Sequence, residues 1–315
     1  MTTTAAIGRD YNTIPATSLT PFRSIRRIEI PLPMVPGQVN GYLVPCQGGW
    51  ILVDCGMNTP GALASFEQAD IDLTSIKLIV LTHVHPDHSG LATVLRERTG
   101  APVWMHRDEE EALKSLQHPD EWLARQGETL AQAGVPEPLL RRISSSALAM
   151  RRMFPVMRAD RHLRDGDMIP TELGPMVAIH TPGHSAGHLC FHFPEAGILL
   201  SGDHLLVPAT PHLDWNGPDS LGAYERSLDR LASLRVQRVM PGHGNAFRRL
   251  RDRIEELRAW IWQHTATIER LRGEGHATAH QIATARWNRQ LSPFEHRCAV
   301  YETLAYMAGA PAMAA

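Results

Sequence analysis

Cysteine is scarce in this chain. Cys46, Cys55, Cys190 and Cys298 are the only four in 315 residues, and no two stand at zinc-knuckle or redox spacing. That argues against a disulfide scaffold and makes them reduced, mostly buried thiols. Charge imbalance is lacking too. A formal net charge of -2 gives no general attraction to nucleic acid or anionic membrane, although local patches can still act. No apolar run reaches bilayer-spanning length, and the opening MTTTAAIGRDYNTIPATSLTPF lacks the cationic start, apolar stretch and cleavage site of a secretory signal. A cytoplasmic protein without membrane contact is the expectation. A G-x-S-x-G elbow for a nucleophilic serine is also missing.

Apolar residues, by contrast, make up 43% of the chain, ample for one large two-layer domain or two modest ones. Histidine is abundant at 17 residues, so its placement becomes the question. Residues 1–22 read as a polar arm. Strand patterns follow at 24–33, 42–44 and 50–54, where antiparallel pairing is expected, and a βαβ rhythm runs from about Gly61 to Met105. Residues 107–160 are helical by pattern, broken at Pro119, Pro136, Pro138 and Pro155, and read as an insertion. Strands resume at 176–181, 189–193, 198–201 and 236–240, with helices at 221–234 and 247–271. The main domain is thereby set at 23–250 and a helical cap at 251–315.

Four stretches gather the polar chemistry. LTHVHPDHSG (Leu81 to Gly90) follows an apolar strand, and TPGHSAGH, LLSGDH and MPGHG each place His or Asp just past another strand in a glycine turn. Strand ends fix Cα positions while glycine turns let side chains converge, which is what a metal site needs. His83 and His85 are two apart, and Asp87 and His88 open the next helix, so two ions are expected. Imidazole and carboxylate donors suit zinc, and also iron or manganese; the absence of cysteine from these loops disfavours a closed structural zinc.

This pattern resembles the metallo-β-lactamase-fold metallohydrolase superfamily. The likeness runs in motif order from about Ile25 to His243 and implies an α+β fold, an αββα sandwich of two mixed sheets flanked by helices, with a helical insertion and a small C-terminal helical cap. Carried over by motif, it implies that His83, His85 and His184 hold one divalent ion, Asp87, His88 and His243 a second, and that Asp203 bridges them. Asp54, in LVDCG, would orient the ligand loops by hydrogen bonding. Two ions about 3.5–4 Å apart acidify a bridging water and polarise a carbonyl. The implied enzyme is a binuclear hydrolase using metal-bound hydroxide, with Asp87 and Asp203 as its catalytic carboxylates.

The pattern looks closest to glyoxalase II-like thioesterases and the LACTB-2-like group. A thioester such as an acyl-CoA or acyl-glutathione is the expected substrate, with a lactone or other ester next and RNA third. An iron-dependent persulfide dioxygenase is the reading from another class. His188 and His204 lie beside ligands and are candidates for substrate contact or packing. From the end of the insertion to just beyond it, Arg141, Arg142, Arg151, Arg152, Arg158, Arg161 and Arg164 interleave with Leu148, Met150, Met153, Phe154 and Met157. Arginine suits phosphate oxygens and Met a variable acyl chain. Arg151, Arg152, Met153, Phe154 and Met157 are therefore candidate contacts of a lid over a phosphate-bearing acyl substrate; the alternative is packing on the sandwich or against a second subunit of a homo-oligomer.

Overall fold

Alternation of side chains along the strands sends each sheet's two faces into different cores. The computed structural model describes residues 25–309 other than 35 and 288. The first sheet runs in the order β1 (Arg26–Pro31), β2 (Gln38–Cys46), β3 (Gly49–Val53), β4 (Ile76–Val80), β5 (Val103–His106), β6 (Arg161–Leu163). Its first two pairings are antiparallel, as the sequence predicts, and the remaining three are parallel. Parallel neighbours require crossovers. Helix α1 (Pro60–Gln68) supplies one, and α2 (Pro86–Ser89) with α3 (Ala92–Thr99) supplies the next.

The second sheet comprises β7 (Met168–Ile169), β8 (Met176–His180), β9 (Leu189–Phe193), β10 (Ile198–Gly202) and β11 (Arg238–Pro241), in the order β11-β10-β9-β8-β7. Only the β10–β11 pair is parallel, joined through α7 (Ser220–Ala232). Strands β6 and β7 have three and two residues, too few for a periodic signal, and sequence reading passes over both. Tyr42, Val44, Ile51, Val53, Leu78 and Val80 of the first sheet meet Met176, Ala178, Phe191, Phe193, Leu200 and Met240 of the second. The alternate residues Leu43, Leu52 and Ile79, and on the other side Cys190, Leu199 and Val239, face the outer helices. This is the expected αββα sandwich of two mixed sheets.

The insertion forms α4 (Arg107–Ser115), α5 (Pro119–Gln132) and α6 (Glu137–Arg151), and together they are the crossover between parallel β5 and β6. Its prolines 119 and 138 sit in the first turns of helices, where a missing N–H costs nothing. After β11 come α8 (Leu250–Gly273), α9 (Ala279–Trp287) and α10 (Pro293–Gly309). Leu250, Ile254 and Leu257 of α8 share a core with Leu228, Leu231 and Phe247, so this helix belongs to the layer outside the second sheet. Ile282 of α9 and Ala305 and Tyr306 of α10 join that same core, and these two helices have a second apolar side. Their Ala279, Ala283, Ala299, Val300 and Tyr301 join Leu130, Ala133, Val135 and Ile143 of the insertion in one apolar cluster. Insertion and tail thus make one helical unit. The arm expected at 1–22 lies outside the described residues. Among those described, no helix is long and apolar enough to cross a membrane.

Candidate metal centre

The two sheets are stitched together at one edge. Leu189 N–H donates to the Thr82 carbonyl (2.8 Å), Asn40 N–H to Gly242 (2.7 Å), and Tyr42 Oη to Pro241 (2.6 Å). The loops after β4, β8, β10 and β11 converge there. Gly242 lets the β11 loop approach closely, since a Cβ at that position would collide with Asp203 and His88. All seven expected ligands are brought together. His83, His85 and His184 form one group, Asp87, His88 and His243 another, and Asp203 joins His83 and His88 in a third.

His83 Nε2 lies 3.0 Å from His85 Nδ1 and 3.2 Å from His184 Nε2, and the last two atoms are 3.0 Å apart. Asp203 spans the groups: Oδ2 is 3.7 Å from His184 Nε2 and 3.4 Å from His243 Nε2, and Oδ1 is 3.4 Å from His88 Nε2. His243 Nε2 is also 3.3 Å from Asp87 Oδ2. His85 and Asp87 are partly exposed while the other five are buried, so the cluster opens on their side.

For His83, His88, His184 and His243 the ring nitrogen pointing away from the cluster is held by an acceptor, which fixes the tautomer. His184 Nδ1 donates to the His212 carbonyl (2.9 Å) and His243 Nδ1 to the Gln38 carbonyl (2.7 Å). His88 Nδ1 donates to Asp54 Oδ2 (2.8 Å). Asp54 also accepts from Thr82 N–H and Thr82 Oγ1, both at 2.8 Å, and that hydroxyl oxygen in turn receives His83 Nδ1 at 3.0 Å. One carboxylate therefore sets both His88 and, through Thr82, His83. Asp54 does this at φ 58°, a left-handed conformation that aspartate tolerates better than most residues. Thr82 is a positioning residue that sequence reading missed, although its place beside the first histidine was visible.

With those tautomers, lone pairs face lone pairs. His88 Nε2 and Asp203 Oδ1 are buried with no hydrogen-bond partner. Burial, then the neighbouring His184, holds His85 down to about 3, so its imidazole is neutral and available as a donor. Burial opposes charge on Asp87, yet His88 and His243 hold its carboxyl at about 2. Burial likewise opposes charge on His243, and Asp203 and Asp87 raise it to about 10. The site demands positive charge between its carboxylates. Protons meet that demand only partly; divalent cations fit the whole donor set, and their binding would release protons.

The remaining candidates are placed differently. His188 and His204 are both fully buried, which removes them from direct substrate contact. His188 bonds Thr181 Oγ1 through Nδ1 (2.9 Å) and accepts Asp203 N–H at Nε2 (3.2 Å), so it supports the bridging aspartate. His204 packs against Tyr224. In the insertion, Met157 is buried and Met153 and Phe154 pack against the cluster holding Leu95, Leu113 and Leu116. Arg151 Nε donates to the Leu116 carbonyl, and Arg152 is exposed. Cys46, Cys55 and Cys190 are free and buried, as expected, and Cys298 is partly exposed.

Known proteins resemble this chain in sequence and fold. The chain is 28% identical over 300 residues to a probable metallo-hydrolase, YqjP, of Bacillus subtilis, spanning 90% of this chain and 89% of that one. It is 34% identical over 178 residues to the acyl-coenzyme A thioesterase MBLAC2 of Gallus gallus, covering 54% of this chain and 57% of the relative. The crystal structure of the metallo-beta-lactamase family protein TTHA1429 from Thermus thermophilus superposes with a TM-score of 0.77 at 28% identity, covering 90% of this chain and 92% of the other. The model of the metallo-beta-lactamase superfamily matches residues 34–243, from the loop before β2 to the last histidine of the cluster. Fold and that match together place the chain in the metallo-beta-lactamase superfamily of hydrolases.

Proposed function

We propose that this chain hydrolyses a thioester of the acyl-CoA or acyl-glutathione type at a two-ion centre. The observation that carries the reading is the complete seven-residue donor cluster, with its buried, partnerless His88 Nε2 and Asp203 Oδ1. His83, His85 and His184 would hold one ion, Asp87, His88 and His243 the other, and Asp203 would touch both. Zinc suits these donors, as do iron and manganese. Such ions, when bound, supply Lewis acidity toward an acyl carbonyl and bring coordinated water toward ionisation at neutral pH.

The chain's own groups complete the chemistry. Asp87 is the more exposed of the two carboxylates, 22% against 10% for Asp203, so its carboxylate can pass a proton between the reacting water and solvent. Asp54 and Thr82 keep His88 and His83 in the tautomers that present Nε2. Burial pushes the Cys55 thiol well up and Cys190 to about 12, leaving neither as a thiolate at neutral pH.

Thioester as the substrate class is supported by the names of relatives. Besides MBLAC2, the atrochrysone carboxyl ACP thioesterase of Aspergillus fumigatus is 25% identical over 85% of this chain and 55% of its own. A panel of acyl-CoA, acyl-glutathione, lactone, β-lactam and RNA substrates on ion-loaded protein tests the reading. Thioester turnover with kcat/KM above about 10⁴ M⁻¹s⁻¹ is expected. Inert thioesters beside rapid lactone turnover would overturn it.

A further inference from the structure

The helical crossover between β5 and β6 begins with α4, and in its first turn lies Glu109, only 2% exposed. Its Oε2 accepts the Val84 N–H at 2.8 Å. Its Oε1 accepts the Ser185 hydroxyl at 2.7 Å and the Gly187 N–H at 2.8 Å. Val84 sits between His83 and His85, and Ser185 directly follows His184. A single buried carboxylate thus spans the two loops that deliver all three imidazoles of the first group. Among the described residues no cationic side chain pairs with it.

The loop and the helix are pressed together at this point. A Cβ on Gly187 would lie 2.9 Å from Glu109 N, 2.9 Å from Glu109 Cγ and 2.8 Å from His106 Nδ1. Glycine is therefore needed for the Gly187 N–H to reach the carboxylate. The neighbouring acids behave differently: Asp108 is exposed, and Glu110, though itself buried, pairs with His162 and Lys114.

We propose that Glu109 is a positioning residue that locks the β4 and β8 loops together, holding His83, His85 and His184 preformed for ion capture. The proposal rests on the metal-centre reading above and is independent of the substrate. Geometry makes it specific. Glu109→Gln keeps size but turns an N–H₂ toward one of the loop donors, so one of the two loops loses its acceptor. Loops freed in this way must be ordered when the ion binds, and affinity falls.

Competition against a fluorescent zinc chelator, on the full chain, reads this directly. The wild-type chain is expected to take up two ions. Glu109→Gln is expected to bind one of them about 10–100-fold more weakly, the usual effect of removing a group that orients metal ligands. The cobalt(II)-loaded variant should also show an altered d–d absorption band, which a purely structural lesion would leave unchanged in the folded fraction. Glu110→Gln should keep wild-type affinity. If Glu109→Gln does not fold, Ser185→Ala removes one of the three bonds and should weaken the same ion by a smaller factor. Wild-type affinity and an unchanged cobalt spectrum in the variants overturn the positioning role alone. Failure of the wild-type chain to take up any ion overturns the metal-centre reading with it.

Discussion

Two places in this molecule bury several ionisable side chains, and they satisfy them in opposite ways. In the helical unit, Arg286 Nη2 meets Glu302 Oε1 at 3.1 Å, with both side chains almost fully buried, and Arg297 donates to Gln126 across from the insertion. Acid meets base there, and the protein supplies both. At the sheet edge, imidazole lone pairs face one another at 3.0–3.2 Å, and carboxylates crowd around them. In charge the first arrangement closes on itself, although Arg286 Nη1 and Gln126 Nε2 are buried without a hydrogen-bond partner. The second is incomplete as protein alone, because its donors converge on positions that only a cation can fill. Buried charge marks a ligand site when its partners share a sign of need, and marks architecture when they cancel.

The largest effect that would break this comparison is at Asp203, the side chain reaching both ligand groups. Asp203→Ala is expected to lose one ion by elemental analysis and to lower turnover by more than about 100-fold, beyond what removal of a supporting group costs. Circular dichroism should be unchanged, since the loop is also held by the Gly242 N–H bond to Gly202 and the Asn40 bonds to Gly242 and Pro241. Full activity with both ions retained would deny the bridging role.

Next in size comes the self-contained pair. Glu302→Gln leaves the buried Arg286 without its counter-charge and should cost about 3–5 kcal/mol of unfolding free energy at neutral pH. Burial works against the Glu302 charge, yet Arg286 and His212 pull its carboxyl from 4.5 down to about 2. A folded-state pKa below the unfolded one stabilises fully above pH 4.5, and the contribution is lost as pH falls toward 2. The wild-type and variant curves from urea titration should therefore approach each other over that window. Parallel curves would mean that the pair is not ionised as described.

How much of each region the sequence reveals follows from the range of its contacts. The expected ligands are legible because each occupies a short motif at a strand end, so local spacing already brings loops such as THVHPDH to the right edge; Asp54 is legible in the same way. Glu109 is not. It lies in RDEEEAL, which reads as a solvated first turn, and only the packing of α4 against two distant loops buries it. Strands β6 and β7 are too short for alternation to be seen. The joining of insertion and tail is invisible for a related reason: Ile143 and Val300 share a core from positions far apart, and no local pattern says which apolar faces will meet.

The smallest expected effect sharpens the comparison at its boundary, where the helical unit faces solvent. Arg152 is exposed, while Arg151 is tied to the Leu116 carbonyl and Met153, Phe154 and Met157 pack beneath α4 and α5 rather than standing free for an acyl chain. Packing of this kind makes the segment part of the scaffold that carries Glu109. Arg152→Ala is therefore expected to change KM by no more than about twofold, the size of an ordinary surface substitution, for both an acyl-CoA and a truncated thioester lacking the nucleotide phosphates. If KM rises for the acyl-CoA alone, the arginine is holding phosphate, and the same helices that brace the metal loops from below also grip the substrate from above.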